Sequence, residues 1–242
     1  MTVFTLSHGP ERARRRRFLK RKFEEQPLIA VVDYGMGNLR SVSKALERLG
    51  QDVVVTSDPA LIDDAAGMVL PGVGAFPDCM RNLVDKGLAD PVVDFIKGGR
   101  PFFGICLGLQ LLFTEGYEFG RHDGLGIIPG RVVRFEGKEF SGDNKLKVPH
   151  MGWNQVNWKK REGAFTPFDT LVNGDYFYFV HSYYVVPEDD KYTAGTTDYG
   201  VEFVSAVGRE NIFATQFHPE KSQEKGLEIL KAFGEYVNRW ES

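Results

Sequence analysis

The chain of 242 residues is 42% hydrophobic and 26% charged, enough to bury one sizeable α/β core. No run of about 18 apolar residues occurs, which excludes a spanning helix. The two cysteines, Cys79 and Cys106, exclude a disulfide framework or a CxxC metal site and suit the reducing cytoplasm, while a net charge of −3 gives the body no reason to bind nucleic acid.

Residues 1–26 stand apart, with eight Lys/Arg against three Glu and the run Arg14–Arg17. They lack the apolar stretch of a secretory signal and read as a basic extension outside the fold, in preference to a targeting peptide or an anionic-partner arm. Leu28–Val32 is a short continuous apolar run, as expected of a strand buried on both faces. A Gly-rich turn, residues 33–38, leads to Val42, Ala45, Leu46 and Leu49 at helical spacing, with Gly50 as the stop. Asp52–Thr56 and Gly67–Leu70 read as the next strands, the latter ending in Pro71-Gly72-Val73-Gly74. A helical stretch over Cys79–Ile96, broken near Pro91, precedes the apolar strand Pro101–Ile105 and a helix over Leu109–Phe113. This alternation implies right-handed crossovers and a mostly parallel central sheet flanked by helices.

From Arg131 to Phe217 the texture changes to short β-like runs, among them Gln155–Trp158, Tyr176–Val180, Glu202–Val207 and Ile212–Gln216. These read as an antiparallel β extension, and Ser222–Trp240 as a closing amphipathic helix. No linker divides residues 27–242, which read as one α/β domain.

Chemistry concentrates at Gly104-Ile105-Cys106-Leu107-Gly108, a nucleophile elbow with Cys in place of Ser between a predicted strand and helix. Glycines on either side permit the sharp turn, and the following helix start offers backbone N–H groups to a thiolate and to a developing oxyanion. A thiolate nucleophile needs a base and a group to orient that base. His218-Pro219-Glu220, after the strand Ile212–Gln216, supplies both. His8 falls in the extension and His122 in a polar loop; His150 and His181 lie in aromatic-rich stretches as structural or substrate-lining residues. Cys79 lacks the glycine elbow and reads as a packing residue.

Taken together, the segments 33–38, 71–76, 104–110, 149–154, 178–183 and 216–222 resemble the class I (triad) glutamine amidotransferases. The Tyr-Gly-Met-Gly-Asn turn and the Pro-His-Met-Gly-Trp-Asn stretch point within them to the glutaminase subunits of imidazole glycerol phosphate synthase, and the likeness runs from Leu28 to the C-terminus. The resemblance implies a flavodoxin-like core and hydrolysis of L-glutamine through a Cys106 thioester, with His218 moving protons and Glu220 orienting it. It implies an oxyanion hole from Leu107 and the Gly72–Val73 loop. Gln110, Glu118 and the backbone of Ser182 and Tyr183 would bind glutamine. The implied partner is a (β/α)₈ barrel cyclase that receives the ammonia, with Trp153, Lys221 and Asn38 as candidate docking residues. No metal or organic cofactor is implied, and no contact with nucleic acid or membrane. Two other readings stay open: a paralogous glutaminase serving a surface-sugar amidotransferase, and a non-catalytic regulatory subunit.

Overall fold

The computed structural model describes residues 27–143, 145–159 and 171–240, so the basic stretch 1–26 and His8 lie outside the described residues. Four strands open the fold: β1 (Leu28–Val32), β2 (Asp52–Thr56), β3 (Gly67–Gly72) and β4 (Phe102–Cys106). β1, β3 and β4 are buried almost throughout, which is why their sequences are continuous apolar runs rather than alternating ones. They pair in parallel in the order β2-β1-β3-β4, and the late strand β13 (Ile212–Thr215) joins the other side of β4, also in parallel. This is the 2-1-3-4-5 order of a flavodoxin-like sheet, with β13 in fifth place.

The helices are α1 (Leu39–Arg48), α2 (Pro59–Asp63), α3 (Phe76–Asp85), α4 (Ala89–Lys97), α5 (Leu107–Gln110) and α6 (Gln223–Arg239). α1 buries Val42 and Leu46, and α6 buries Ile229, Leu230, Phe233 and Val237 at helical spacing. The Phe233 ring lies 5.4 Å from that of Phe103 on β4, which seats α6 on the middle of the sheet.

Beyond β13 the sheet turns antiparallel except for one parallel pair near its far edge. β12 (Glu202–Arg209) pairs with β13 and β10 (Tyr183–Pro187) with β12. β7 (Ile128–Arg134), β5 (Phe113–Gly116) and β6 (His122–Asp123) follow outward. A branch leaves β12 through β11 (Thr193–Asp198) to β8 (His150–Trp158) and β9 (Asp175–His181). This branch forms the antiparallel extension.

Two sequence expectations are corrected. The first helical segment begins at Phe76 and breaks at Gly87, whose φ is +65°, while Pro91 sits in the first turn of α4. A proline is tolerated there because its absent N–H would have no helical partner. The helix expected over Leu109–Phe113 is instead the single turn Leu107–Gln110, because Phe113 opens β5 and pairs with Ile128.

Candidate active site

β3, β4 and β13 are adjacent parallel strands, and each ends in a predicted functional segment. Gly72 at the end of β3 pairs with Cys106 at the end of β4, and Thr215 of β13 pairs with Ile105. The loop from Gly72, Cys106 and the His218 segment therefore meet at one carboxyl edge, where open α/β sheets place their ligands.

Cys106 has φ 55° and ψ −107°, a conformation that L-residues rarely adopt. Close packing on three sides imposes it. A Cβ at Gly108 would collide with the Leu70 carbonyl oxygen, and one at Gly104 would lie 2.7 Å from the Gly108 carbonyl. A Cβ at Gly72 would lie 2.5 Å from the Tyr34 hydroxyl and 2.6 Å from Leu107 Cβ. The loop after β3 thus lies directly against Leu107, the residue that follows Cys106. With α5 only four residues long, what this end offers is local backbone N–H groups, not the summed dipole of a long helix.

The His218 and Glu220 side chains are 2% and 1% exposed, and His218 Nδ1 lies 3.0 Å from Glu220 Oε1. His218 Nε2 is buried without a hydrogen-bond partner among the described residues. Burial by itself would push this imidazole down. Cys106 and then Glu220 outweigh it and raise the pKa to about 10. The ring is thus held by Glu220 on one nitrogen, with Cys106 the leading influence that raises it. The segment is anchored to β9: His218 N–H donates to the Tyr178 carbonyl at 2.9 Å, and the Ser222 hydroxyl donates to the His218 carbonyl at 2.7 Å.

Gln110 is buried, and its Nε2 donates to the Tyr183 carbonyl at 3.1 Å and to Gln216 Oε1 at 3.0 Å. The Ser182 carbonyl accepts from Phe135 N–H at 3.0 Å. With both carbonyls engaged by the protein, N–H groups are what Ser182 and Tyr183 have to offer a carboxylate. Glu118 is half-buried, and its Oε2 accepts from Phe76 N–H at 2.7 Å, capping α3 just past the Gly72–Gly74 loop. Burial raises its carboxyl above the usual range, and the Phe76 hydrogen bond opposes that rise.

Cys79 is fully buried, bonded to the Tyr34 hydroxyl at 3.7 Å, and burial pushes its thiol up to about 11. It is a packing residue. Trp153 and Tyr178 are cross-strand partners whose rings stand 6.2 Å apart, and Lys221 Nζ lies 5.9 Å from the Tyr178 ring. Asn38 caps α1 through its backbone carbonyl alone, in a turn whose Met36 lies against Gly74.

Sequence reasoning missed Gln216, whose Nε2 donates to Cys106 Sγ at 3.6 Å. Its position one residue past a strand that ends beside β4 was the available signal. His150 and His181 turn out to be a buried hydrogen-bonded pair rather than two isolated rings. Among the described residues no group of His, Cys, Asp and Glu is arranged to hold a metal ion, and no helix is long and apolar enough to cross a membrane.

Residues 30–235 match the family model "Glutamine amidotransferase class-I". The imidazole glycerol phosphate synthase subunit HisH of Syntrophotalea carbinolica is 57% identical over 86% of this chain and 100% of its own length. That of Geobacter sulfurreducens is 55% identical over 86% and 98%, and that of Aquifex aeolicus 52% identical over 84% and 94%. Among solved structures, PurLQS from Thermotoga maritima superposes with a TM-score of 0.64 at 20% identity, covering 88% of this chain and 99% of that one. A glutamine amidotransferase from the same organism superposes at 0.62 with 13% identity, covering 89% and 100%. The chain belongs to the class I glutamine amidotransferase family, among relatives that are HisH subunits of imidazole glycerol phosphate synthase.

Proposed function

We propose that the protein hydrolyses L-glutamine with a Cys106–His218–Glu220 triad and passes the ammonia to a barrel cyclase that makes imidazole glycerol phosphate. The observation that carries this reading is the buried His218 imidazole. It is bonded to Glu220 on one nitrogen, has no hydrogen-bond partner on the other among the described residues, and is raised in pKa by Cys106. The thiolate attacks the side-chain amide carbon, and the oxyanion is taken by the Leu107 amide and the Gly72–Val73 loop. His218 gives its proton to the leaving nitrogen, the C–N bond breaks, and ammonia departs from a thioester. The neutral imidazole then takes a proton from water, which attacks the thioester and releases glutamate. Glu220 holds the ring orientation throughout.

Gln110 and the Ser182–Tyr183 backbone would hold the substrate amino acid, and Glu118 its ammonium group. Glu118→Gln retains an oxygen to accept from Phe76 N–H but removes the charge. Its expected effect is a rise in KM for glutamine of about tenfold, the loss of one charge-assisted hydrogen bond. The thermal midpoint should stay within a few degrees, and steady-state kinetics with a melting curve check both.

Docking is assigned to the outer face of β8 and β9, where Met151, Trp153 and Tyr176 are 61%, 45% and 54% exposed. Lys221 and Asn38 extend it. Trp153→Ala should weaken the complex with the cyclase by about 2 kcal/mol, roughly 30-fold in Kd, as for a central aromatic anchor. Calorimetric titration measures this. Two buried free thiols suit a reducing compartment, so we place the subunit in the cytoplasm.

The deciding experiment is glutamate release from glutamine with and without the barrel cyclase and its nucleotide ligand. Weak turnover alone and strong turnover in the ternary mixture are expected. Turnover indifferent to the cyclase would redirect the search to another acceptor enzyme, such as a surface-sugar amidotransferase.

A further inference from the structure

Behind the nucleophile runs a buried polar chain that the triad chemistry does not use. Gln216 Nε2 donates to Cys106 Sγ at 3.6 Å, while Gln216 Oε1 accepts from Gln110 Nε2 at 3.0 Å. The Gln110 nitrogen also donates to the Tyr183 carbonyl at 3.1 Å, which takes a second bond from His181 Nδ1 at 2.8 Å. His181 Nε2 lies 3.1 Å from His150 Nδ1, and His150 Nε2 lies 3.3 Å from Asn154 Nδ2. Asn154 Nδ2 is held at the far end by the Asp198 carbonyl at 2.8 Å. Gln110, Gln216, His150 and His181 are all buried.

Donor and acceptor capacities orient the whole chain. A carbonyl cannot donate, so His181 carries its proton on Nδ1, and its Nε2 must accept from His150 Nδ1–H. His150 Nε2 is then the acceptor for the Asn154 amide. The two protons on Gln110 Nε2 serve two oxygens, which turns the Gln216 oxygen toward Gln110 and its NH₂ toward the sulfur. Reversing any member sets two donors or two acceptors face to face, at a cost of about 1–3 kcal/mol for each buried group left unsatisfied.

An extra proton would set two donors face to face, on His181 Nε2 against His150 Nδ1–H or on His150 Nε2 against the Asn154 amide. Burial opposes that by lowering the pKa of His150 to about 4 and that of His181 to about 3. His150 is also stacked between Tyr199 and Phe179, with ring centroids at 4.0 and 4.9 Å. The chain is not a proton wire, because a peptide carbonyl and two carboxamides interrupt it and none of them gives up a proton at neutral pH. What it transmits is orientation.

We propose that Gln216 is a positioning residue for glutamine hydrolysis, its carboxamide locked by the Gln110–Tyr183–His181–His150 chain so that its NH₂ restrains the Cys106 sulfur. The proposal rests on Cys106 being the nucleophile. It also gives β8 two roles. Its outer face carries Met151 and Trp153, while His150 and Asn154 of the same strand hold the chain that ends on the sulfur.

Gln216→Met fills a similar volume without donor or acceptor, and Gln216→Glu keeps an acceptor for Gln110 but turns a carboxylate oxygen to the sulfur. In complex with the cyclase, Gln216→Met should lower kcat by about 10–100-fold, the range for partners that orient a reactive group. KM for glutamine should move less than about threefold. Gln216→Glu should lose at least as much, and alkylation of Cys106 by iodoacetamide, located by mass spectrometry, should slow in both. A reading independent of variant folding comes from ¹⁵N spectra of the wild-type histidines at neutral pH. His150 and His181 should both be neutral Nδ1–H tautomers. An Nε2–H tautomer at either ring, or a folded Gln216→Met enzyme with kcat within twofold of wild type, would overturn the proposal. A wild-type complex that releases no glutamate while showing the expected tautomers would remove the glutaminase reading and this positioning role with it; the orientation of the chain would stand.

Discussion

Cys106→Ala is expected to lower glutamine turnover by at least about 10⁴-fold, with the fold retained. The covalent route ends with the sulfur, and the oxyanion-hole amides that remain have no tetrahedral adduct to stabilise. Cys106→Ser separates nucleophilicity from charge. A serine hydroxyl does not ionise beside His218, so the imidazole loses the leading influence that raises its pKa to about 10. Its titration should then move down toward the ordinary histidine range, with burial pulling further and Glu220 resisting. Histidine NMR across pH 6–10 reads this directly. An unchanged His218 titration in Cys106→Ser would mean that Glu220 alone charges the ring.

Gly108→Ala should damage both stability and activity. The added methyl would strike the Leu70 carbonyl, a backbone atom of β3 that has no rotamer by which to withdraw. Either β3 or α5 has to shift, and overpacking of this kind costs about 3 kcal/mol. Both elements carry part of the proposed oxyanion hole, Gly72 on one and Leu107 on the other. A displacement near 1 Å of a catalytic group costs on the order of 10²-fold in rate. The kcat of the complex should therefore fall at least about 100-fold even in molecules that remain folded. Gly87→Ala is the contrast. Its φ is +65° but its surroundings are open, so a loss of about 1 kcal/mol with unaltered kcat is expected. Urea titration and steady-state kinetics measure both variants.

The parallel half of the fold was legible because β1, β3 and β4 are buried on both faces and the half-buried edge strand β2 still carries a run of valines. β1 and β2 have the bounds read from their apolar runs, and α6 differs from its reading by one residue at each end. The helix break was misplaced because Pro91 is the more conspicuous breaker, while Gly87 acts through a positive φ that composition does not reveal. β11, with the sequence Thr-Ala-Gly-Thr-Thr-Asp, has neither an apolar run nor alternation and becomes a strand only by pairing with β12 and β8. In the site, the elbow and His-Pro-Glu were readable because each is local. Gln216 was not, since its partners Cys106 and Gln110 are over a hundred residues away along the chain. The His150–His181 pair escaped for a related reason: antiparallel register, not sequence spacing, brings the two rings together.

The place of β13 between β4 and β12 has a consequence for biogenesis. This strand, residues 212–215, bridges the parallel and antiparallel regions of the sheet, yet comes after both in the chain. Before it inserts, β4 has an open edge beside Cys106, and His218 is not yet in place. Such non-local pairing slows folding and leaves unpaired edges exposed to aggregation in the interim. It also acts as a chemical safeguard. An emerging polypeptide carries Cys106 long before it carries His218, so the proposed catalytic pair comes together only when the last central strand closes the sheet.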